Sequence, residues 1–434
     1  NTAINDSAGA GTIDLFDIGD GDPAAGISGT LDIGNTNTAL VDFDGTNYDV
    51  SGNVTVESKT GNFITFSDTS GTAIDFRTTG AGSSIGFSTG TIKISDRSAA
   101  LEITSNNGSI SIAAVEGTHD EDITINAGTG TLAVGAIGVT ETQGINTVAL
   151  TSSTGITLSG SITTSDAAGN NVTLTGPVII SGAVDIDTDT TTDGNISFTS
   201  TIRGDGNGNT TDALTLDTGT GTLSFDSTNT IIGETNPLAS LSINQEGGTV
   251  ALTIPQIGGS GGTTAGVTGA VTIGTGTTAT VTMEDALYNF GTGNVIITAA
   301  STGTGTTFSA ANTDVNSGGG NITINNKVVI SDGELDINSG GGDISITGAI
   351  SSAGVDEALV LDDGTGSGTI TLGSTVTSGS ITLIGDTGIS LAGNLISTDT
   401  PGGAISLTGP VTLAGDITID ADADNTTVTF TSTA

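Results

Sequence analysis

The chain has 434 residues, 47 of them acidic and six basic, for a formal net charge of −41; it has 69 glycines, six prolines, no cysteine and no tryptophan. That charge excludes non-specific binding to nucleic acid or to an anionic membrane, since both need a basic surface, and it sets up a self-repulsion that salt or divalent cations relieve. Without cysteine there is no disulfide framework, thiolate metal site or thiol nucleophile, while aromatics at 3% argue against tandem immunoglobulin-like sandwiches and a periodic apolar fraction of 34% argues against disorder.

Along the chain, apolar-x-apolar pairs rich in β-branched residues predict short half-buried strands, and Gly/Asn/Asp clusters between them predict turns. The first pair is Ile13 and Leu15, read as equivalent to Val250 and Leu252. Asp17-Ile18-Gly19-Asp20-Gly21-Asp22 follows. Its three carboxylates surround two glycines that let oxygen ligands converge on Ca²⁺, although the distal Glu of an EF-hand is missing. Gly26-Ile27-Ser28-Gly29-Thr30-Leu31-Asp32-Ile33-Gly34 then opens a segment that returns about 240 positions later as Gly266-Val267-Thr268-Gly269-Ala270-Val271-Thr272-Ile273-Gly274. The only two tyrosines, Tyr48 and Tyr288, occupy matching places, and Phe43 is answered by Met283.

Val54 and Val56 match Val295 and Ile297, Ile110 and Ile112 match Ile344 and Ile346, and Val148 and Leu150 match Ile381 and Leu383. The single histidine, His119, sits among acids in Gly117-Thr118-His119-Asp120-Glu121-Asp122 and reads as a turn residue rather than a catalytic base. Val172 to Ser200 recurs as Ile405 to Ser432, including Gly176-Pro177-Val178 against Gly409-Pro410-Val411. A shorter echo relates Val172, Leu174, Ile180, Val184, Ile186, Ile196 and Phe198 to Ile322, Ile324, Ile330, Leu335, Ile337, Ile344 and Ile346. Asp185, Asp187 and Asp189 alternate along a predicted strand edge, with Asp420 and Asp422 answering the last two. Alternate residues share a face, so these carboxylates crowd one side. A bound cation is one reading and a freely solvated acidic corner the other. Arg203-Gly204-Asp205 matches an integrin-type tripeptide that a Gly/Asp-rich loop produces readily, and the N-x-S/T sequons occur as often as composition alone gives. The theme Leu214 to Phe225 resembles Ile123 to Val134 and Leu359 to Leu372.

The repeats divide the chain into a first long repeat, 1–239, and a second, incomplete one, 240–434, expected to form one continuous rod without a flexible linker. The register expects both ends to lie within a longer array. The fold expected is all-β: a parallel β-solenoid of many short strands built from tandem repeats, with about 20–30 residues per coil and roughly 15–20 coils. No charged segment with an apolar core opens the chain and no apolar stretch is long enough to span a bilayer, so membrane insertion is not expected in this segment.

The runs Gly320-Asn321-Ile322-Thr323-Ile324-Asn325-Asn326, Gly342-Asp343-Ile344-Ser345-Ile346-Thr347-Gly348-Ala349-Ile350 and Ala213 to Phe225 resemble the strand repeats of very large bacterial surface proteins, similar to filamentous-haemagglutinin-type adhesins and related autotransported fibres. The resemblance covers essentially the whole chain but rests on strand and turn positions. It implies a right-handed β-helix at or outside a cell surface, serving adhesion, biofilm matrix or a filament. The function expected is that of a non-catalytic extracellular structural fibre, with the stalk of a giant secreted adhesin as the alternative. The partners expected are identical chains, joined end to end or laterally. No cofactor is required by this reading, and Ca²⁺ is the ion expected if Asp17, Asp20, Asp22, Asp187, Asp189, Asp420 and Asp422 bind one.

Overall fold

The computed structural model describes residues 2–5, 11–19, 26–68, 71–95, 100–138, 144–165, 167, 169–188, 193–208, 211–247, 250–259, 264–354, 356–398, 403–421 and 426–431. Strands make up 52% of it, no helix occurs among the described residues, and the strands stack in parallel as a β-solenoid of about 16 turns. The chain is therefore a β-helix repeat protein. No helix among these residues is long and apolar enough to cross a membrane. Compactness separates two units, one of Asn1–Thr201 with Leu214–Gly221 and the other of Ile202–Ala213 with Thr222–Ala434.

Alternation explains the strands. In Val54–Glu57 and Phe63–Phe66 every second side chain turns inward, and the intervening Thr55, Glu57, Phe63 and Thr65 stay partly exposed. Each coil of the first unit contributes to three parallel faces. On one, Leu31 pairs with Val54, Val54 with Ile85, Ile85 with Ile110, Ile110 with Leu132, Leu132 with Ile156, and Ile156 with Val178. This column is at most 2% exposed throughout. Each such side chain contributes about 1.5–3 kcal/mol by leaving water, so the stability accumulates from coil to coil rather than in one globular centre. The second face runs through Thr12–Leu15, Leu40–Phe43, Phe63–Phe66 and Thr91–Ile94, and the third through Asn47–Val50, Ile74–Thr78, Leu101–Thr104 and Glu121–Asn126. The second unit repeats the scheme: Val271, Val295, Ile322, Ile344, Ile370, Ile389 and Val411 form the matching column. Coil length varies from 19 residues, Ile370 to Ile389, to 31, Val54 to Ile85. The variation falls in turns, where extra residues cost little.

Rare residues mark equivalent corners in the two units. The Tyr48 hydroxyl accepts a hydrogen bond from the Gly45 N–H at 2.6 Å and donates to the Leu15 carbonyl of the preceding coil at 3.2 Å. Tyr288 does the same with the Asp285 N–H, 2.9 Å, and the Ile254 carbonyl, 3.0 Å. Burial in both cases pushes the phenol pKa upward, which keeps each hydroxyl protonated and able to donate. Gly176 and Gly409 have φ of 119° and 118°, and a Cβ at either would overlap the carbonyl of Ser152 or Gly385 in the preceding coil. Only glycine meets both conditions.

The register corrects two sequence matches. Ile13 lies opposite Val41 and Leu252 opposite Val281, so Ile13 and Leu15 correspond to Leu252 and Ile254, not to Val250 and Leu252. Val250 is exposed. The shorter echo also has a different meaning. Val172 lies in the column of Val148, whereas Ile322 lies in the column of Val295 on another face. The echo relates one strand and its turn to another a third of a coil away.

Candidate functional site

At the first proposed calcium segment, Asp17 Oδ1 accepts the N–H groups of Thr46 at 2.6 Å and Asn47 at 2.8 Å. One carboxylate oxygen thus fastens the turn of the next coil. Asp20 and Asp22 lie outside the described residues, as do Asp189 and Asp422. Asp187 ends the strand Ala183–Asp187 beside Thr163, and Asp420 sits exposed in Ile419–Ala421 beside Ile396. The register makes Ile186 and Ile419 equivalent, through Ile162 and Leu395, so the match of Asp187 with Asp420 is one of true position. Burial, with Asp187 and Asp217 nearby, raises the pKa of Asp185. Among the described residues, no three imidazole or carboxylate groups converge on a site fit for a metal ion.

A different constellation emerges on the third face of the first unit. Asp49 is 1% exposed, and its Oδ1 binds the Arg77 Nε; the Arg77 Nη1 reaches Asp75 Oδ2 at 2.6 Å. The register brings them together: Asp49 is opposite Arg77 and Asp75 is opposite Glu102 in adjacent coils. Asp49 Oδ2 is buried without a hydrogen-bond partner, so the guanidinium is what compensates this carboxylate. The pKa of Asp75 is raised by burial; Arg77 pulls it down while Asp49 and Glu102 push it up.

The equivalent place in the second unit is built differently. Asn289 is opposite Asn316, and the Asn316 amide donates to Asn289 Oδ1 at 3.2 Å. Asn289 and Asn316 thus stand where the first unit has Asp49 and Arg77. Asp314, opposite Asp336, stands where the first unit has Asp75 opposite Glu102. No cation is among the groups acting on Asp336. Burial first, then Asp314, Glu334 and Asp362, push its pKa up to about 6. Neither cluster stands out in the sequence. The signal existed as an Asp-x-Arg in one copy and an Asp-x-Asn in the other, but its partners lie in the neighbouring coil and become visible only once the coil length is known.

Other polar side chains link coils. Asn294 Oδ1 accepts the Asn321 N–H at 3.2 Å, Asn321 Oδ1 accepts the Asp343 N–H at 2.9 Å, and Asp343 Oδ1 accepts the Thr369 N–H at 2.9 Å. The sequon residues Asn53, Asn107 and Asn171 act likewise toward Ser84, Thr129 and Asn195. His119 is half-buried on its turn; its Nδ1 lies 2.9 Å from the Thr118 hydroxyl, and its N–H and that of Thr118 bind Glu121 Oε2. In Arg203-Gly204-Asp205, Gly204 is buried at the end of a strand and the Asp205 carboxylate accepts the N–H and side-chain amide of Asn207. Two shallow clefts lie on the first unit, one of about 320 Å³ along Arg77, Thr79, Thr104 and Asn106 and one of about 370 Å³ along Thr151, Ser153, Thr175 and Thr199.

In comparisons with known proteins, no family model, no curated protein and no solved structure matches this chain.

Proposed function

We propose that this chain is a structural segment of an extracellular fibre or filament, non-catalytic, at a cell surface or in a matrix. The observation that carries the reading is the use of polar side chains. Asn294, Asn321, Asp343 and the two tyrosines bind the backbone of a neighbouring coil, so what elsewhere would recognise a ligand here joins coil to coil. A column of aliphatic side chains inside such an array extends without limit on length, which suits a spacer or fibre. Small polar residues and a high negative charge keep the exterior soluble. Self-association of identical chains, end to end or laterally, belongs to the same proposal. So does Ca²⁺ as the ion that would screen or bridge the carboxylates.

The second reading is the stalk of a secreted adhesin, favoured by the resemblance of the strand repeats to filamentous-haemagglutinin-type proteins. Electron microscopy of the isolated chain, with millimolar Ca²⁺ and with chelator, separates the two. Filaments many times longer than one chain support the structural polymer; single particles at every protein concentration overturn self-association and leave the stalk.

A further inference from the structure

The two units carry the same acidic column with a different answer to its charge. In the first, Asp75 opposite Glu102 has the Arg77 guanidinium beside it, bound to Asp75 Oδ2. In the second, Asp314 is opposite Asp336, and the position of Arg77 is taken by Asn316, whose amide turns to Asn289. The groups facing Asp336 are Asp314 from the strand Asn312–Ser317, Glu334 on its own strand and Asp362 from Ala358–Asp362; Asn312, Asn316, Asn338 and Val360 complete the surroundings without charge. Asp336 Oδ1 is buried and has no hydrogen-bond partner. Like charges directly opposite across a ladder destabilise it, and a half-buried carboxylate under that pressure is relieved by taking up a proton.

We propose that the Asp314–Asp336 pair is a proton-operated clamp of the second unit, in which protonation of Asp336 does what Arg77 does in the first. Protonated, Asp336 removes one of two opposed charges and gains an O–H that donates to the Asp314 carboxylate. Ionised, it leaves two coils held against repulsion, and the strands around residues 312–338 open more readily. The upward shift to about 6 places the transition between mildly acidic and neutral conditions.

Hydrogen exchange of the full chain in chelator, corrected for the intrinsic pH dependence of amide exchange, reads this locally. Protection of Asn312–Ser317 and Glu334–Asn338 should rise by up to about tenfold between pH 7.5 and pH 5, and by less in Ile74–Thr78 and Leu101–Thr104. Asp336→Asn should give high protection at both pH values. Asn316→Arg, which supplies the missing cation, should also flatten the response. Equal protection at pH 5 and pH 7.5 in the wild type, or an undiminished pH response in Asp336→Asn, overturns the proposal. Asp336→Asn keeps the side-chain shape, so the test stands even if Asn316→Arg does not fold.

Discussion

Replacing Arg77 by asparagine, the residue at its register in the second unit, should destabilise the first unit, and adding Asp49→Asn should recover most of the loss. The size follows from the burial of Asp49. Its carboxylate is 1% exposed, with Oδ1 on Arg77 Nε and Oδ2 without a hydrogen-bond partner, so the single variant leaves a buried charge uncompensated. Breaking a fully buried pair from one side costs about 3–5 kcal/mol. The Arg77 side chain is 24% exposed and water reaches the guanidinium, which brings the expected loss to about 2–3 kcal/mol. In the double variant the pair becomes the neutral one already present as Asn289 and Asn316, whose single hydrogen bond stabilises by about 1 kcal/mol. Urea dependence of hydrogen exchange in Asn47–Val50 and Ile74–Thr78 measures both variants within one unit. A change below about 0.5 kcal/mol for Arg77→Asn, or a double variant less stable than the single one, would show that Arg77 does not act by compensating Asp49.

Tyr48→Phe and Tyr288→Phe each remove a hydroxyl that serves one N–H and one carbonyl, and each should cost about 1–3 kcal/mol in thermal or urea unfolding; a negligible effect at both would mean that the corners are held by packing alone. Gly176→Ala and Gly409→Ala should be poorly tolerated, by more than about 2 kcal/mol, because a Cβ overlaps a carbonyl at a positive φ. Gly276→Ala, where a Cβ meets nothing, should change stability by less than about 0.5 kcal/mol. The melting temperature of the whole chain should fall as pH rises from 5 to 7.5. Asp42, Asp75, Asp285, Asp336 and Asp363 have folded pKa values above their usual ones, each chiefly through burial. Their stabilising contribution is complete below the unfolded pKa and is lost as pH rises through the folded one. Added salt should recover part of the loss at pH 7.5, and a melting temperature that climbs with pH would contradict the assignment.

Alternation made the strands legible, because Val54-x-Val56 or Ile322-x-Ile324 can bury two side chains only if extended. The equivalence of Tyr48 with Tyr288 and of Gly176 with Gly409 was legible too, since a residue used so rarely, or placed before a proline, does not recur by composition. Lateral register was not. With coils of 19 to 31 residues, no fixed period predicts that Asp49 meets Arg77 or that Asp314 meets Asp336. The same freedom in turns is why sequence similarity alone sets Ile13 against Val250, two residues from its true counterpart Leu252. Of the candidate calcium residues, Asp187 and Asp420 proved positionally equivalent, and Asp17 holds the backbone of the next coil. The alternating Asp pattern identified a shared face but not what the carboxylates touch.

The two copies agree at inward positions and differ at polar ones, and the physics of a stacked coil accounts for the division. An inward residue such as Ile33 or Ile273 lies between a coil below and a coil above, so a change of one methylene is felt by both neighbours. Asp49 and Asn289 are buried as well, but each is compensated by one partner across the ladder, so a neutral pair can take the place of an ionic one when both members change together. That is what separates Asp49 with Arg77 from Asn289 with Asn316. The exchange is not neutral for residues left behind, however. Where no arginine stands beside them, opposed acids must be protonated or screened, and Asp314 and Asp336 face each other with Asn316 at the arginine's position. A chain with 47 acidic and six basic residues has few cations to place, so an acidic cluster with no cation among the groups acting on it has a stability that depends on the medium. Asp336→Asn and Asn316→Arg in the second unit, and Arg77→Asn in the first, are therefore opposite moves along one axis. The first two should flatten the pH response of the strands Asn312–Ser317 and Glu334–Asn338, and the third should enlarge that of Ile74–Thr78 and Leu101–Thr104.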